Sequence, residues 1–241
     1  MSKIAVHDLI VSFGKLNALR EISLTVDEGD LVFISGPNGA GKSSLLRSIA
    51  GEIQPTKGRI EIDGTIVTGA GPEVIARMGV SMVPEGRRVF STLTIEENLM
   101  LGTGMRRDRA AIAADLDEIY AIFPILHERR TTSAGALSGG QQQMLVIGRA
   151  IMTNPKIVLV DEPSLGLAPK MVDEVYQRLC KLREERGLTL VIVEQSTTRA
   201  ARVGGKMILL NNGEIVGRGR VEDFADDDLI SGAYFGMEKS Q

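Results

Sequence analysis

The octapeptide Gly36-Pro37-Asn38-Gly39-Ala40-Gly41-Lys42-Ser43 brings together the groups that hold a phosphate chain. It fits the pattern G-x-x-x-x-G-K-[ST], a phosphate-binding loop. Backbone N–H groups across residues 38–43 can form a nest around concentrated negative charge. Gly39 and Gly41 allow positive φ and a close approach of the chain to the ligand. Lys42 supplies a point charge to the outer phosphates, and the Ser43 hydroxyl can bind Mg²⁺. Alone, the octapeptide implies a nucleoside triphosphate and nothing more.

A second set of residues could act on that ligand. Asp161 ends the apolar run Ile157-Val158-Leu159-Val160. A carboxylate there is costly unless it meets a cation, and Mg²⁺, reached through water, is the natural partner. Glu162 then stands where a general base could polarise an attacking water. The plain alternative, a solvated Asp-Glu turn, does not account for its occurrence together with the phosphate loop. Ser138-Gly139-Gly140-Gln141 opens a helix, and Ser138 with Gln141 fits a capping box. One reading stops at a capped helix with two glycines. The sharper reading uses the first amides of that helix to hold a γ-phosphate.

These residues need elements to position them. The apolar run at residues 31–35 predicts a buried strand directly before the phosphate loop, and residues 44–50 read as a helix stopped by Gly51. Strand, glycine-rich turn and helix are the context the loop requires. Residues 4–11 and 22–26 alternate as strands, with a turn at 27–30. Residues 59–62 and 65–67 flank Asp63-Gly64, a hairpin signal. Residues 79–83 predict another strand. Thr94 with Glu97 fits a second capping box, and helical patterning runs over 95–156 with breaks near 102–104, Pro124 and 131–135. A strand follows at 157–160. Val172, Val175, Tyr176, Leu179 and Leu182 then form one apolar helix face. Strands at 188–193 and 207–210, the Asn212-Gly213 turn and a last strand near Ile215 complete the pattern. Strands alternating with helices predict an α/β fold with a mainly parallel sheet, to which the N-terminal hairpins add an antiparallel layer.

The 241 residues suit one large domain, 1–241. Its core and β layer would be residues 1–94 and 157–241, with a helical subdomain inserted at 95–156. A net charge of −3 argues against general nucleic-acid binding. The single cysteine, Cys180, excludes an internal disulfide and fits a reducing compartment. No apolar run approaches the roughly 20 residues needed to cross a bilayer. The first residues carry no signal-peptide hydrophobic region. The expectation is a cytoplasmic chain whose membrane role, if any, comes through a partner.

Taken in order, the phosphate loop, the Leu137-Ser138-Gly139-Gly140-Gln141 string and the strand ending in Asp161-Glu162 resemble the ATP-binding subunit of an ABC transporter. A finer resemblance is to the ATPase subunits, of the LivF type, of branched-chain amino acid uptake systems. It rests on residues 83–90 (Val-Pro-Glu-Gly-Arg-Arg-Val-Phe), 93–99 (Leu-Thr-Ile-Glu-Glu-Asn-Leu), 161–169 (Asp-Glu-Pro-Ser-Leu-Gly-Leu-Ala-Pro), Val193-Glu194-Gln195 and the ending Ser231-Gly232-Ala233-Tyr234-Phe235-Gly236. The resemblance implies a RecA-like P-loop NTPase core with an N-terminal antiparallel β layer and an inserted helical subdomain. It implies ATP and Mg²⁺ as cofactors, with ATP held by residues 36–44 (Ser44 included) and by Ser138, Gly139, Gly140 and Gln141 of an opposing subunit. Partners would be a second ATPase subunit, identical or different, two transmembrane permeases and, indirectly, a solute-binding protein. The chain would sit peripherally on the cytoplasmic face of the plasma membrane.

Further roles follow only from that resemblance. Phe13 stands where relatives place an aromatic that stacks on adenine; the alternative is a strand core residue. Glu85 occupies the usual place of a glutamine; its carboxylate could bind Mg²⁺ or its water, and it adds repulsion beside Asp161 and Glu162. Ala168 stands where an aspartate is common. Gln195 stands where a switch histidine is common; an amide can donate a hydrogen bond to a γ-phosphate but cannot exchange a proton as imidazole does. Arg87 and Arg88 belong either to a solvated loop or to a surface that meets the permease. Arg106-Arg107-Asp108-Arg109 and Arg129-Arg130 read as solvated helix ends, and residues 222–228 as a solvent-facing acidic run. Besides branched-chain amino acid uptake, three readings stay open. They are an importer of other amino acids or amides, a non-transport ABC ATPase acting on DNA or ribosomes, and an ATP-binding regulator without turnover.

Overall fold

The structure, a computed structural model, describes residues 3–224. Along the chain run β1 (Ile4–Phe13), β2 (Leu16–Val26), β3 (Leu31–Ser35), α1 (Lys42–Ile49), β4 (Lys57–Ile62), β5 (Thr65–Ile66) and α2 (Pro72–Arg77). Next come β6 (Val80–Val83), α3 (Ile95–Leu101), α4 (Arg109–Ile122), α5 (Pro124–Glu128), a 3₁₀ turn at Ala134–Ala136 and α6 (Gly139–Ile151). Last are β7 (Ile157–Asp161), α7 (Pro169–Arg186), β8 (Thr189–Val193), α8 (Thr197–Val203), β9 (Lys206–Asn211) and β10 (Glu214–Arg220). They form two compact units, one of residues 3–78 and 189–224, the other of residues 79–188.

The first unit holds two layers of strands. β2-β1-β4-β5 is an antiparallel sheet, with Ile4 opposite Val26 on one side and Ile62 on the other. Ile4, Val6, Leu9 and Val11 of β1 are buried, as a half-buried strand requires. The β4–β5 connection is the expected two-residue turn, Asp63 at φ 51° and Gly64 at φ 75°. β3 lies between β8 and β9, parallel to both, and all five of its residues are buried. β10 returns antiparallel to β9 through Asn212 (φ 49°) and Gly213 (φ 81°). The N-terminal antiparallel layer and the mainly parallel sheet were both expected.

The strand pattern missed most of β2, which begins at Leu16 rather than Ile22. Over residues 16–21 only Leu19 is buried, so no alternation is visible there.

In the second unit β6 and β7 pair in parallel, with Val83 opposite Val160. The helices of residues 95–156 lie in this unit together with β6, β7 and α7. Both capping boxes are formed: Thr94 with Glu97 opens α3, and Ser138 with Gln141 opens α6. The apolar face of α7 is buried as expected, at Val172, Val175, Tyr176, Leu179 and Leu182.

Arg106 corrects the expectation of a solvated helix end. Its side chain is only 8% exposed. It reaches Asp108 at 2.8 Å, Asp115 at 2.5 Å and the Met152 carbonyl at 2.9 Å. Asp115 also meets Arg186 at 2.5 Å, and Arg186 pairs with Glu118, so charges far apart in sequence close one network between α4 and α7. Such a cluster holds because each buried charge finds an opposite one. Of the acidic run, Glu222 and Asp223 pair with the side chain and backbone N–H of Arg220; residues 225–228 lie outside the described residues. So does the tail motif at residues 231–236.

Candidate functional site: a nucleotide loop in one unit, carboxylates and a capped helix tip in the other

In the first unit, the loop of residues 36–41 leaves the end of β3 and enters α1 at Lys42. Its shape needs glycine at two points. Gly36 has φ 153°, and a Cβ there would lie 2.0 Å from the Leu210 carbonyl oxygen; at Gly41, with φ 102°, a Cβ would lie 2.4 Å from that of Ala18. No side chain fits at either place. Lys42 is buried and turns back over the loop, its ammonium donating to the Gly36 oxygen at 2.8 Å and the Pro37 oxygen at 3.0 Å. The cation is thus already aimed along the loop. Asn38 and Gly39 are exposed, while Ser43 and Ser44 are half-buried on the first turn of α1. The helix begins on Gly41 with no side-chain cap, so this end keeps the partial positive charge of its peptide dipoles. A hydrogen bond from the Gly213 N–H to the Ala40 oxygen, 3.0 Å, and one from the Arg20 N–H to the Gly213 oxygen, 2.8 Å, brace the back of the loop.

Phe13 ends β1 opposite Leu16 across a tight turn, and its ring is 51% exposed. It is therefore not a core residue. β2 touches the loop through Ala18 and Leu19 beside Gly41, so the hairpin that carries Phe13 lies against the loop.

Gln195 leaves the end of β8, and Ile34 of β3 is opposite Val193 of β8. The phosphate loop and Gln195 thus emerge from the same ends of neighbouring parallel strands, where α/β sheets bind ligands. Glu194 was not singled out from the sequence. It is 2% exposed, and its Oε1 accepts from the Gln195 N–H (3.1 Å), the Ser196 N–H (3.3 Å) and Arg199 Nη1 (3.2 Å). It fixes the turn that presents Gln195. The signal was available: a carboxylate directly after a buried apolar strand, as with Asp161.

In the second unit, Asp161 is fully buried at the end of β7. Glu162 follows at φ 48°, a backbone state that is costly for a residue with a side chain and that concentrates at functional sites. Glu85, half-buried, follows the end of β6. Because β6 and β7 are parallel and adjacent, Glu85 and the Asp161-Glu162 pair leave the same ends of their strands.

At α6, the Ser138 Oγ accepts from the Gln141 N–H at 3.4 Å, and the Gln141 Oε1 accepts from the Ser138 N–H at 3.0 Å. The Gly139 and Gly140 N–H groups are not part of this box. Met171 of α7 packs where a Gly140 side chain would stand, 2.8 Å from the position of its Cβ. Ala168, which precedes α7, offers no side-chain cap.

A glycine loop with an inward lysine, carboxylates at strand ends and a glycine-rich helix start together define a nucleotide-binding ATPase cassette. The profile of the ABC transporter family matches residues 19–165, and the chain belongs to that family. It is 41% identical over 224 residues to the high-affinity branched-chain amino acid transport ATP-binding protein BraG of Pseudomonas aeruginosa, covering 93% of this chain and 95% of that one. It is 30% identical over 229 residues to a probable branched-chain amino acid transport ATP-binding protein, LivF, of Archaeoglobus fulgidus, covering 95% and 97%. Among solved structures, the ADP conformation of the ATP-binding cassette MJ1267 superposes with a TM-score of 0.83 at 26% identity, over 98% of this chain and 99% of that one.

Proposed function

We propose that this chain is the ATP-hydrolysing subunit of an importer that takes up branched-chain amino acids through partner permeases. The observation that carries the ATP-binding step is the preformed loop. Lys42 is held on two loop carbonyls, and Gly36 and Gly41 occupy places where no side chain fits. Residues 36–44 would bind the phosphates and Phe13 would stack on the base. Gln195 would donate to the γ-phosphate, and Glu162 would take the proton of the attacking water. Ser138, Gly139, Gly140 and Gln141 would bind the γ-phosphate of ATP held by a second ATPase subunit, identical or different. If that partner carries a different switch residue, the two sites would turn over unequally.

The donor set suits Mg²⁺. Ser43 and Asp161 offer hard oxygens, with Glu85 as a further ligand to the ion or its water. Mg²⁺ needs only one or two protein oxygens beside phosphate and water. When bound, the ion would neutralise charge on the phosphates. We assign residues 95–156 to a helical subdomain carrying the Ser138 tip, and 1–94 with 157–241 to the nucleotide-binding core. No helix among the described residues is long and apolar enough to cross a membrane. The proposed station is peripheral, on the cytoplasmic face, beside two permeases served by a solute-binding protein.

The test is a complex of this chain co-expressed with its permeases and partner ATPase, reconstituted in vesicles with the binding protein. ATP hydrolysis should accompany uptake of labelled Leu, Ile or Val. Lys42→Ala should lower hydrolysis on the order of 100-fold or more, as loss of a charge-stabilising donor does. Uptake of another amino acid or an amide instead would move the cargo assignment. ATP binding without turnover would point to a regulator. Copurification with ribosomes or DNA in place of permeases would refute transport.

A further inference from the structure

The turn after β6 holds two neighbouring arginines in different settings. Gly86 and Arg87 both have left-handed backbones, φ 86° and 61°. For arginine this is an uncommon state that persists only where the surroundings fix it. The turn is clamped from two helices. Asn98 of α3, fully buried, accepts from the Phe90 N–H at 2.9 Å and donates to the Phe90 oxygen at 3.0 Å. Arg149 of α6 donates to the Arg88 oxygen at 2.7 Å and lies 5.2 Å over the Phe90 ring.

From this fixed base the Arg87 guanidinium reaches into a gap between two segments. On one side its Nη2 donates to the Leu165 oxygen at 3.1 Å and the Gly166 oxygen at 3.0 Å. On the other, its Nη1 stands 2.4 Å from where a Cβ on Gly139 would lie, so a side chain at the head of α6 would push the guanidinium aside. A planar guanidinium can meet two carbonyls while its face or edge rests against backbone; a lysine ammonium lacks that geometry. Arg88 contributes its carbonyl to the turn while remaining exposed.

We propose that Arg87 is a positioning residue that sets the helix tip at 138–140 against the loop 162–168, which begins with Glu162. This rests on the ATPase reading given above. If two subunits share an ATP, one subunit's tip and its 162–168 loop must both be in register before the nucleotide is clasped. Arg87 is the side chain that joins them.

The experiment uses Arg87→Ala and Arg87→Lys in the full chain, co-expressed with permeases and partner ATPase. For Arg87→Ala, the KM for ATP in the complex should rise about fivefold to tenfold, in line with the loss of two hydrogen bonds to backbone. kcat should stay within about twofold, and ATP binding by the isolated chain should not change, because the phosphate loop is built without Arg87. Arg87→Lys should recover less than half of the loss. An unchanged KM in an active complex overturns this inference alone, and so does full recovery by lysine. Loss of permease copurification would make Arg87 a docking residue, and an equal loss of ATP binding by the isolated chain would make it a folding residue; either result overturns the inference. A wild-type complex that hydrolyses no ATP overturns both the inference and the ATPase reading.

Discussion

α3 and α6 open with the same four-residue device and differ in charge: Glu96 and Glu97 stand in the first turn of α3, and no acidic residue stands in that of α6. At α3, Glu97 Oε2 accepts from the Thr94 N–H at 2.8 Å and from its hydroxyl at 2.9 Å. Those bonds hold the Glu97 carboxyl below its ordinary value, so the helix start carries a negative charge that offsets its dipole. At α6, neutral Gln141 makes the matching bond to Ser138. Geometry is equally satisfied at both ends, but only α6 keeps its positive end, and its first residues are two glycines. A capping box therefore does not by itself mark a site; its charge and its N1 and N2 residues decide whether an anion can approach.

Gln141→Glu is the sharpest way to break this difference. It keeps the box and places a carboxylate beside the proposed γ-phosphate. With unit charges about 7 Å apart at an effective dielectric of about 20, the repulsion is about 2 kcal/mol. ATP hydrolysis by the assembled complex should then fall by a few tens-fold, with ATP binding by the isolated chain intact. Equal activity in mutant and wild type would remove α6 from the nucleotide site.

Removing the caps gives a smaller effect that separates stability from function. Thr94→Ala should cost about 1 kcal/mol of folding stability, read from denaturant midpoints, with ATP turnover per folded molecule unchanged. Ser138→Ala should cost a similar amount and also raise the KM for ATP. The smallest effect concerns pH. Because the folded Glu97 carboxyl is held below its ordinary 4.5, its contribution is present above that value and is lost as pH falls through the lowered one. Glu97→Gln should flatten that part of the acid-stability curve, while Gln141→Ala, which removes no titratable group, should leave it unaltered.

The same contrast explains what was legible in the chain. Both boxes, the phosphate loop and the hairpin turns at residues 63–64 and 212–213 are local rules, in which residue type and spacing over a few positions determine backbone shape. Asp161 at the end of its strand belongs with them. Arg106 looked solvated because its partners, Asp115 and the Met152 carbonyl, come from later segments brought to it by packing. Arg87 was similar: the pair of arginines was visible, but the carbonyls at 165 and 166 lie 78 and 79 residues away. Glu194 obeys the same rule as Asp161, a carboxylate at the end of a buried apolar strand. The early part of β2 had no rule to follow, since over residues 16–21 only Leu19 is buried and no alternation appears.

Two tight turns of the first unit, at Gly64 and at Gly213, are not interchangeable as attachment points for a reporter. At Gly64 no atom stands within 4 Å of where a side chain would project, so a fluorophore or an inserted peptide there would hang in solvent. At Gly213 the backbone is bonded on one side to Ala40 and on the other to Arg20. A graft at that second hairpin would pry at the rear wall of the nucleotide cradle and disable the protein being watched.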